Sequence, residues 1–440
     1  MTWDFSTEPE FEASLEWMRE FVREHVFPLE LLDLDRRRLK LVVSPLQAEV
    51  KARGLWAAHL PPELGGTGFG QLRLGLMHEV IGESPLAPYV FGNNAPDSGN
   101  SELMALAVKE TGREDQAERW LRPLLSGDLS SAFSMTEPHT AGSDPHLLQT
   151  TAVLDGDSWV INGHKWFTTH GSSADILIVM ALTDPDAARG NRHSMIIVPA
   201  DTEGVDVVRD ISTMENPSPH YGTFWSHSEV RYRDVRVPAD NLLGRRGAGF
   251  RLAQERLGPG RIHHAMRWLG QANRAYRIMC ERAVSRTAHG GLLADKQTVQ
   301  NWIAMSKAEM HAARLMTLHA AWTMDQAGAP NARVEISMIK YFGARVLHDV
   351  IDRAIQTCGS LGYSADLPLE AMYRAARAAR IYDGPDEVHM QSVARSELKR
   401  FTASVFPQDH VPTRRAKAAA RYGDLVSATG MERPARESSP

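Results

Sequence analysis

SAFSM (131–135), TTAVL (150–154), SWVIN (158–162), DILIVMAL (175–182) and SMIIV (194–198) are five short runs unlike the text on either side of them. Each is rich in β-branched or aromatic residues and bounded by turn formers, which is how short strands read. Asp155-Gly156-Asp157, between the second run and the third, is a hairpin signal. The block therefore predicts a strand domain over residues 130–243, and the sequence around it is helical. Upstream, Phe11, Leu15, Met18, Val22 and Val26 step by three or four up to Pro28, and further helical segments follow between Gly and Pro clusters, giving a helical domain over 1–129. Downstream, Ile339, Phe342, Val346 and Val350 repeat at helical spacing, while Trp302 to Leu318 is apolar on several faces, as the centre of a bundle should be. That predicts a C-terminal helical bundle over 244–406. From Pro407 to Pro440 the apolar period is lost, and a weakly ordered tail is expected.

Composition limits what such a chain can do. The 440 residues are 43% apolar and 23% charged, an ordinary globular balance, and the net charge of −5 argues against a generic nucleic-acid binder. Two cysteines make no disulfide framework and suit a reducing compartment. The first residues lack the pattern of a secretory signal, and no apolar run is long enough to span a bilayer, so the expectation is a cytoplasmic protein that does not enter a membrane.

Three motifs sit at the junctions of these domains. FSMTEPHTAGSD (133–144) supplies hydroxyls and turn amides, the donors a phosphate and a ring edge require. INGHKWFTT (161–169) has an aromatic two residues before a threonine, which on a regular strand puts both on one face. Taken alone, Trp166 reads as ordinary sheet core. RIYDGPDEVHMQSVAR (380–395) carries Asp383 before the last bundle helix. Asp383 also reads as an N-cap, although Asp386 is better placed for that task.

In these motifs and in its helix–strand–helix order the chain resembles the acyl-CoA dehydrogenase family from end to end, apart from the tail. The resemblance implies an α+β multidomain fold with an N-terminal α-helical domain, a middle β-domain and a C-terminal four-helix bundle. It also implies FAD as cofactor, an acyl-CoA substrate and an electron-transfer flavoprotein as acceptor. Carried over residue by residue, it implies that Phe133, Met135 and Thr136 line the flavin and that Gly142 and Ser143 approach its phosphate, with Ser143 also near the substrate. Trp166 would stack on the ring and Thr168 would donate to N5. Arg286 would reach the flavin of a neighbouring subunit, which implies a homodimer or homotetramer. His289, Gln297, Gln356, Gly359, Pro385 and Glu387 stand at further cofactor positions, and Arg261 and Tyr382 at substrate positions. Asp383 stands where most of the family has the glutamate that takes the α-proton. The other position used for that base is Gly260 here, which cannot act.

A base for this chemistry is expected to have its pKa raised towards neutrality in an apolar site. NNAPDSGNSELM (93–104), LGPGRIHHAMRWLG (257–270) and IYDGPDEVH (381–389) further resemble the branch that in animals is fused to an aminoglycoside-kinase-like domain, which implies unusual acyl chains, 4-hydroxy and 4-phosphorylated ones included. Two other readings stand beside dehydrogenation: a flavin or nitroalkane oxidase of the same fold, and a catalytically silent acyl-CoA or flavin binding protein. His263-His264 lacks a third ligand at metal spacing, so no metal is expected. Arg374, Arg377 and Arg380 read as a salt-bridge row.

Overall fold

Apolar residues three and four apart wind the first part of the chain into α1 (Pro9–Phe21), α2 (Arg36–Ala52), α3 (Gln71–Ile81), α4 (Ala87–Val90), α5 (Asp97–Thr111), α6 (Glu114–Gln116) and α7 (Arg122–Ser126). The computed structural model describes residues 3–32, 34–64, 66–219 and 226–429. After α1 the chain runs on through a π turn, Val22–Val26, into a 3-10 turn, Phe27–Leu31, where Pro28 has no amide to continue the ladder. The stripe that this region presents is buried, from Phe11 and Leu15 to Val22 and Val26.

The middle of the chain forms β1 (Ser131–Ser134), β2 (Thr151–Asp155), β3 (Ser158–Thr169), β4 (Ile176–Leu182), β5 (His193–Pro199), β6 (Val205–Asp210), β7 (His227–Pro238) and β8 (Leu242–Leu243). They build one sheet in the order β6-β7-β3-β2-β4-β5-β8, with β1 parallel to β4. Alternation along β4 explains why its text is apolar without a break. Ile176, Ile178 and Met180 face a core shared with α5 and α7, while Leu177, Val179 and Ala181 face a second core with Trp159, Ile161 and Tyr232. The β2–β3 hairpin turns at Gly156, with φ 64°.

Helical text returns in α8 (Gly249–Ser285), which leads through the small hairpin β9 (Thr287–Ala288) and β10 (Gly291–Leu292) to α9 (Gln297–Ala327) and α10 (Arg333–Cys358). The short α11 (Ser360–Tyr363) and α12 (Leu369–Ala378) precede α13 (Asp386–Leu398). Helices α8, α9 and α10 pack on one another, and α12 packs on α10. They share a single core with the N-terminal helices, so that Leu15 and Met77 join the same cluster as Met266 and Ile339. The chain divides into two compact units at Val393 and Ala394. In the second unit α14 (Val411–Ala428) is an 18-residue helix with no buried residue. Within the stretch expected to be a weakly ordered tail, alanine and arginine are strong helix formers, and Pro412 fits the helix's first turn. Residues 430–440 lie outside the described residues.

Candidate active site

The loop between α12 and α13 presents Asp383 on a backbone with φ 55°, followed by Gly384 at φ 97°. Two left-handed residues in succession persist only where their surroundings hold them. The Asp383 carbonyl accepts from Arg261 Nε of α8 and from His389 Nε2 of α13, each at 3.1 Å. A Cβ at position 384 would lie 2.8 Å from that His389 nitrogen, so only glycine leaves room for the clamp. Carboxylate Oδ2 stands 3.3 Å from His264 Nε2, in a pair whose side chains keep 23% and 22% of their surface exposed. Gly260, one turn before His264 on the same face of α8, has open space where a Cβ would stand.

Neither acid of this loop acts as a cap. Asp386 is the first residue of α13, and its carboxylate takes Arg380 Nε at 2.7 Å. Tyr382 hydroxyl accepts from Trp268 Nε1 at 2.8 Å, and buried Lys340 donates to the Ala379 carbonyl at 2.6 Å beneath both rings.

Burial works to raise the Asp383 carboxyl, yet the bond from His264 and the charges of Arg261 and Arg256 hold it well below the usual carboxylate range. The expectation of a base raised towards neutrality is therefore corrected. Its environment is confined but cationic, because α8 brings Arg256 and Arg261 to the loop beside the His264 donor. His264 itself is lowered by burial and by the neighbouring Arg267 charge. Arg256 lies 4.5 Å over the Phe133 ring, and Glu102 is pushed up to about 7 by burial against the opposing pull of Arg256.

The first two sequence motifs meet through a charge pair that sequence reasoning missed. Lys165 Nζ, fully buried, donates to Glu137 Oε1 at 2.9 Å and to the Met135 carbonyl at 2.7 Å. Glu137 also accepts from the amides of Gln149 and Thr150. The Trp166 amide donates to the Thr136 carbonyl at 2.9 Å. These bonds draw Phe133, Met135, Thr136 and the end of β3 into one site.

Within it the regular alternation that would pair Trp166 with Thr168 does not hold. Lys165 pairs with Val230 and Thr168 with Ser228, so β3 carries one extra residue there, and Phe167 takes φ 50°. A bulge breaks the alternation that would put residues 166 and 168 on one face. Thr168 is fully buried with its hydroxyl 3.1 Å from Ser134 Oγ. The accessible ring and hydroxyl two residues apart are Phe167, 43% exposed, and Thr169, whose Oγ1 also meets His227 Nδ1 at 3.0 Å. Trp166 Nε1 and Thr140 Oγ1 are buried polar atoms without a hydrogen-bond partner, in the two segments that face each other here.

Gly142 and Ser143 stand exposed on the loop that ends at Asp144, which holds Arg189 at 2.9 Å. Beyond Arg189 lies a cleft of about 840 Å³ that the sequence did not announce, lined by Glu110, Asp184, Asn191, Arg245, Arg246 and Arg251. Arg246 and Arg251 pair with Asp184 and Glu110, while Arg245 forms no ion pair among the described residues. Arg286, Gln297, Gln356, Gly359 and Glu387 are exposed at the ends of α8, α9, α10 and α13, His289 is exposed in the turn between β9 and β10, and the single chain does not unite them with Phe133. Pro385 is half-buried before α13. The arginine row of α12 is more than a surface pattern, because Arg374 binds Glu370 and also donates to the carbonyls of Met214 and Glu215.

Comparison with known proteins agrees with this architecture. Residues 8–128, 132–221 and 247–398 match the families described as acyl-CoA dehydrogenase N-terminal, middle and C-terminal domains. Over 403 residues the chain is 45% identical to "Probable acyl-CoA dehydrogenase FadE2" of Mycobacterium tuberculosis, a match covering 88% of this chain and 96% of that one. It is 40% identical over 405 residues to "Acyl-CoA dehydrogenase family member 11" of Homo sapiens, covering 88% of this chain but only 51% of that longer protein. The "Structure of a putative acyl-CoA dehydrogenase from Mycobacterium abscessus" superposes with a TM-score of 0.83 at 40% identity, over 90% of this chain and all of that one.

Proposed function

The chain belongs to the acyl-CoA dehydrogenase family of flavin-dependent oxidoreductases, and from that premise we propose that it forms an α,β double bond in an acyl-CoA thioester with Asp383 as the base. The observation that carries this reading is Asp383 itself, its peptide clamped by Arg261 and His389 and its carboxylate 3.3 Å from His264, one turn along α8 from Gly260.

Asp383 takes the α-proton onto its carboxylate as the α-carbon–hydrogen bond breaks. FAD, when bound, supplies an acceptor at N5 for the hydride that leaves the β-carbon. Phe133, Met135, Thr136, Phe167 and Thr169 would hold it. The partnerless Trp166 and Thr140 atoms support the fit, since a ring edge and a phosphate offer acceptors to both. Arg286, Gln297 and Gln356 would serve the adenine half from a neighbouring subunit, which accounts for their exposure on the single chain.

The low pKa makes Asp383 a weak base that is fully ionised. Its contribution is position: an oxygen held in line with the α-carbon removes the orientational cost of the proton transfer. The coenzyme A nucleotide fits the basic-rimmed cleft at Arg245 and Arg251. That cleft lies about 15 Å along α8 from Arg261, at 1.5 Å per residue, so one helix would line both ends of the substrate. Electrons would leave to an electron-transfer flavoprotein.

The test is anaerobic bleaching of the flavin colour by butyryl-, octanoyl- and palmitoyl-CoA and their 4-hydroxy and 4-phospho forms. Asp383→Asn should stay yellow and lose at least a hundredfold in bleaching rate. An unchanged rate removes Asp383 from the mechanism. Peroxide release in air without an electron carrier would mark an oxidase instead.

A further inference from the structure

Beside the base lies a row of side chains that the reaction as written does not use. Arg267, fully charged and able only to donate, places NH2 3.1 Å from His264 Nδ1. That nitrogen must then accept, so the ring proton sits on Nε2, the atom that faces Asp383 Oδ2 at 3.3 Å. Arg267 is itself held, through NH1, by the Asn93 carbonyl at 3.2 Å. The His264 ring has Tyr382 at 5.1 Å and Trp268 at 6.2 Å, which restricts its rotation. Asp383 is thus fixed at two points: its carbonyl by Arg261 and His389, and its carboxylate by a histidine of assigned tautomer.

We propose that His264 is a positioning residue for the base: a neutral imidazole, oriented by Arg267, that donates Nε2–H to one oxygen of Asp383 and leaves the other oxygen for the α-proton. The proposal rests on the reading of Asp383 given above and deepens it. His264 cannot take the proton onward, because its Nε2 already carries one and its Nδ1 is engaged by Arg267. The groups that face the pair are Arg256, Arg261, His263 and Arg267 from α8, His78 from α3, Lys340 from α10, His389 from α13 and Tyr382 from the loop. The cations among them keep the carboxylate ionised near neutral pH whatever stands at 264, so His264 adds direction and a hydrogen bond that favours the ionised form further. One misplaced ångström in such a geometry is enough for a hundredfold loss.

Four variants and two readouts separate this role from a merely structural one. His264→Leu should retain flavin and bind thioester with unchanged affinity. Its rate of anaerobic bleaching, with whichever thioester bleaches the parent protein, should fall ten- to a hundredfold. The acid limb of that rate should move to higher pH, since a carboxylate without its donor protonates sooner. His264→Gln, which keeps an N–H at the end of the side chain, should recover to within a few-fold. Bleaching by His264→Leu at or above the parent rate with an unmoved acid limb overturns the proposal, as does a Gln variant no better than Leu. The second readout needs no turnover: melting temperatures of His264→Leu, Asp383→Asn and the double variant. Coupling predicts that the double variant loses less than the two single losses added together, and additive losses overturn the pairing. If no thioester bleaches the parent protein, the dehydrogenase reading fails, and the pairing of His264 with Asp383 is judged on the melting cycle.

Discussion

Lys165 shows how one residue can join two motifs that are separate in sequence. It lies between Glu137 and the Met135 carbonyl with no exposed surface, and its ammonium is lowered to about 8, chiefly by burial. Removing one partner of such a pair leaves the other charge buried and uncompensated. Lys165→Met should therefore cost about 3–5 kcal/mol, read as a lower midpoint in urea at unchanged slope. Adding Glu137→Gln should recover part of that loss, because an amide needs no counter-charge. A Lys165→Met protein as stable as the parent would show that the pair is held by the sheet and does not hold it. The lysine was visible in INGHKWFTT, but its acid partner could not be picked out: Glu137 is one carboxylate among 54 in the chain.

Between elements, α3 and α8 approach closely enough for main chain to meet main chain. A Cβ on Gly270 would run into the Glu79 carbonyl and lie 2.7 Å from the Gly82 carbonyl carbon, and a Cβ on Gly82 would meet the Arg267 backbone. These obstacles are main chain, which cannot rotate away. Gly270→Ala should accordingly destabilise the protein by about 1–3 kcal/mol through overpacking, well beyond the small gain alanine brings to a helix interior. Chemical denaturation of the variant beside Gly423→Ala, where a Cβ meets nothing within 4 Å, checks it. Equal midpoints would mean that the two helices can part freely. The same contact carries Arg267, so a displaced α3 should also slow the bleaching reaction. Periodicity marks these helices in the sequence, but nothing around Gly270 announces the contact, because close approach is a property of two helices together.

Across the whole molecule, the buried histidines set the response to acid. His59 and His389 are lowered to about 4 by burial, His78 and His263 well below 6.5, and His193, His227 and His264 in the same direction. Above pH 6.5 these groups are neutral folded or unfolded and make no difference. Below it the unfolded chain takes up protons that the folded chain refuses, so stability falls as pH drops from 6.5 towards 4, by about 1.4 kcal/mol per pH unit for each fully shifted group. Glu102 and Glu215, raised by burial, run the other way, but two carboxyls oppose seven histidines. Asp383 and Glu137, held low, lose their contribution only at more acid pH, as it falls below their ordinary values of 3.8 and 4.5. The expected outcome is a melting temperature that declines steadily from pH 6.5 to 4.5, above the range in which Asp383 and Glu137 lose their contribution. A flat profile over that range would mean that water reaches these rings.

Local pattern was enough to determine the helix–strand–helix order, since period and turn residues report which side of each segment meets solvent. It also brought Asp383, Phe133 and Thr136 into view, because each stands in a short motif. Only the folded chain decided that Thr168 is buried while Phe167 and Thr169, two residues apart, keep an accessible ring and hydroxyl. A bulge is set by pairing with β7, some sixty residues further on, and a single extra residue reverses every face that alternation would assign. Likewise only the tertiary structure decided the charge state of Asp383. Burial could be guessed from the loop, but the histidine and two arginines that outweigh it arrive on α8, more than a hundred residues away, and electrostatic interaction depends on distance in space rather than along the chain.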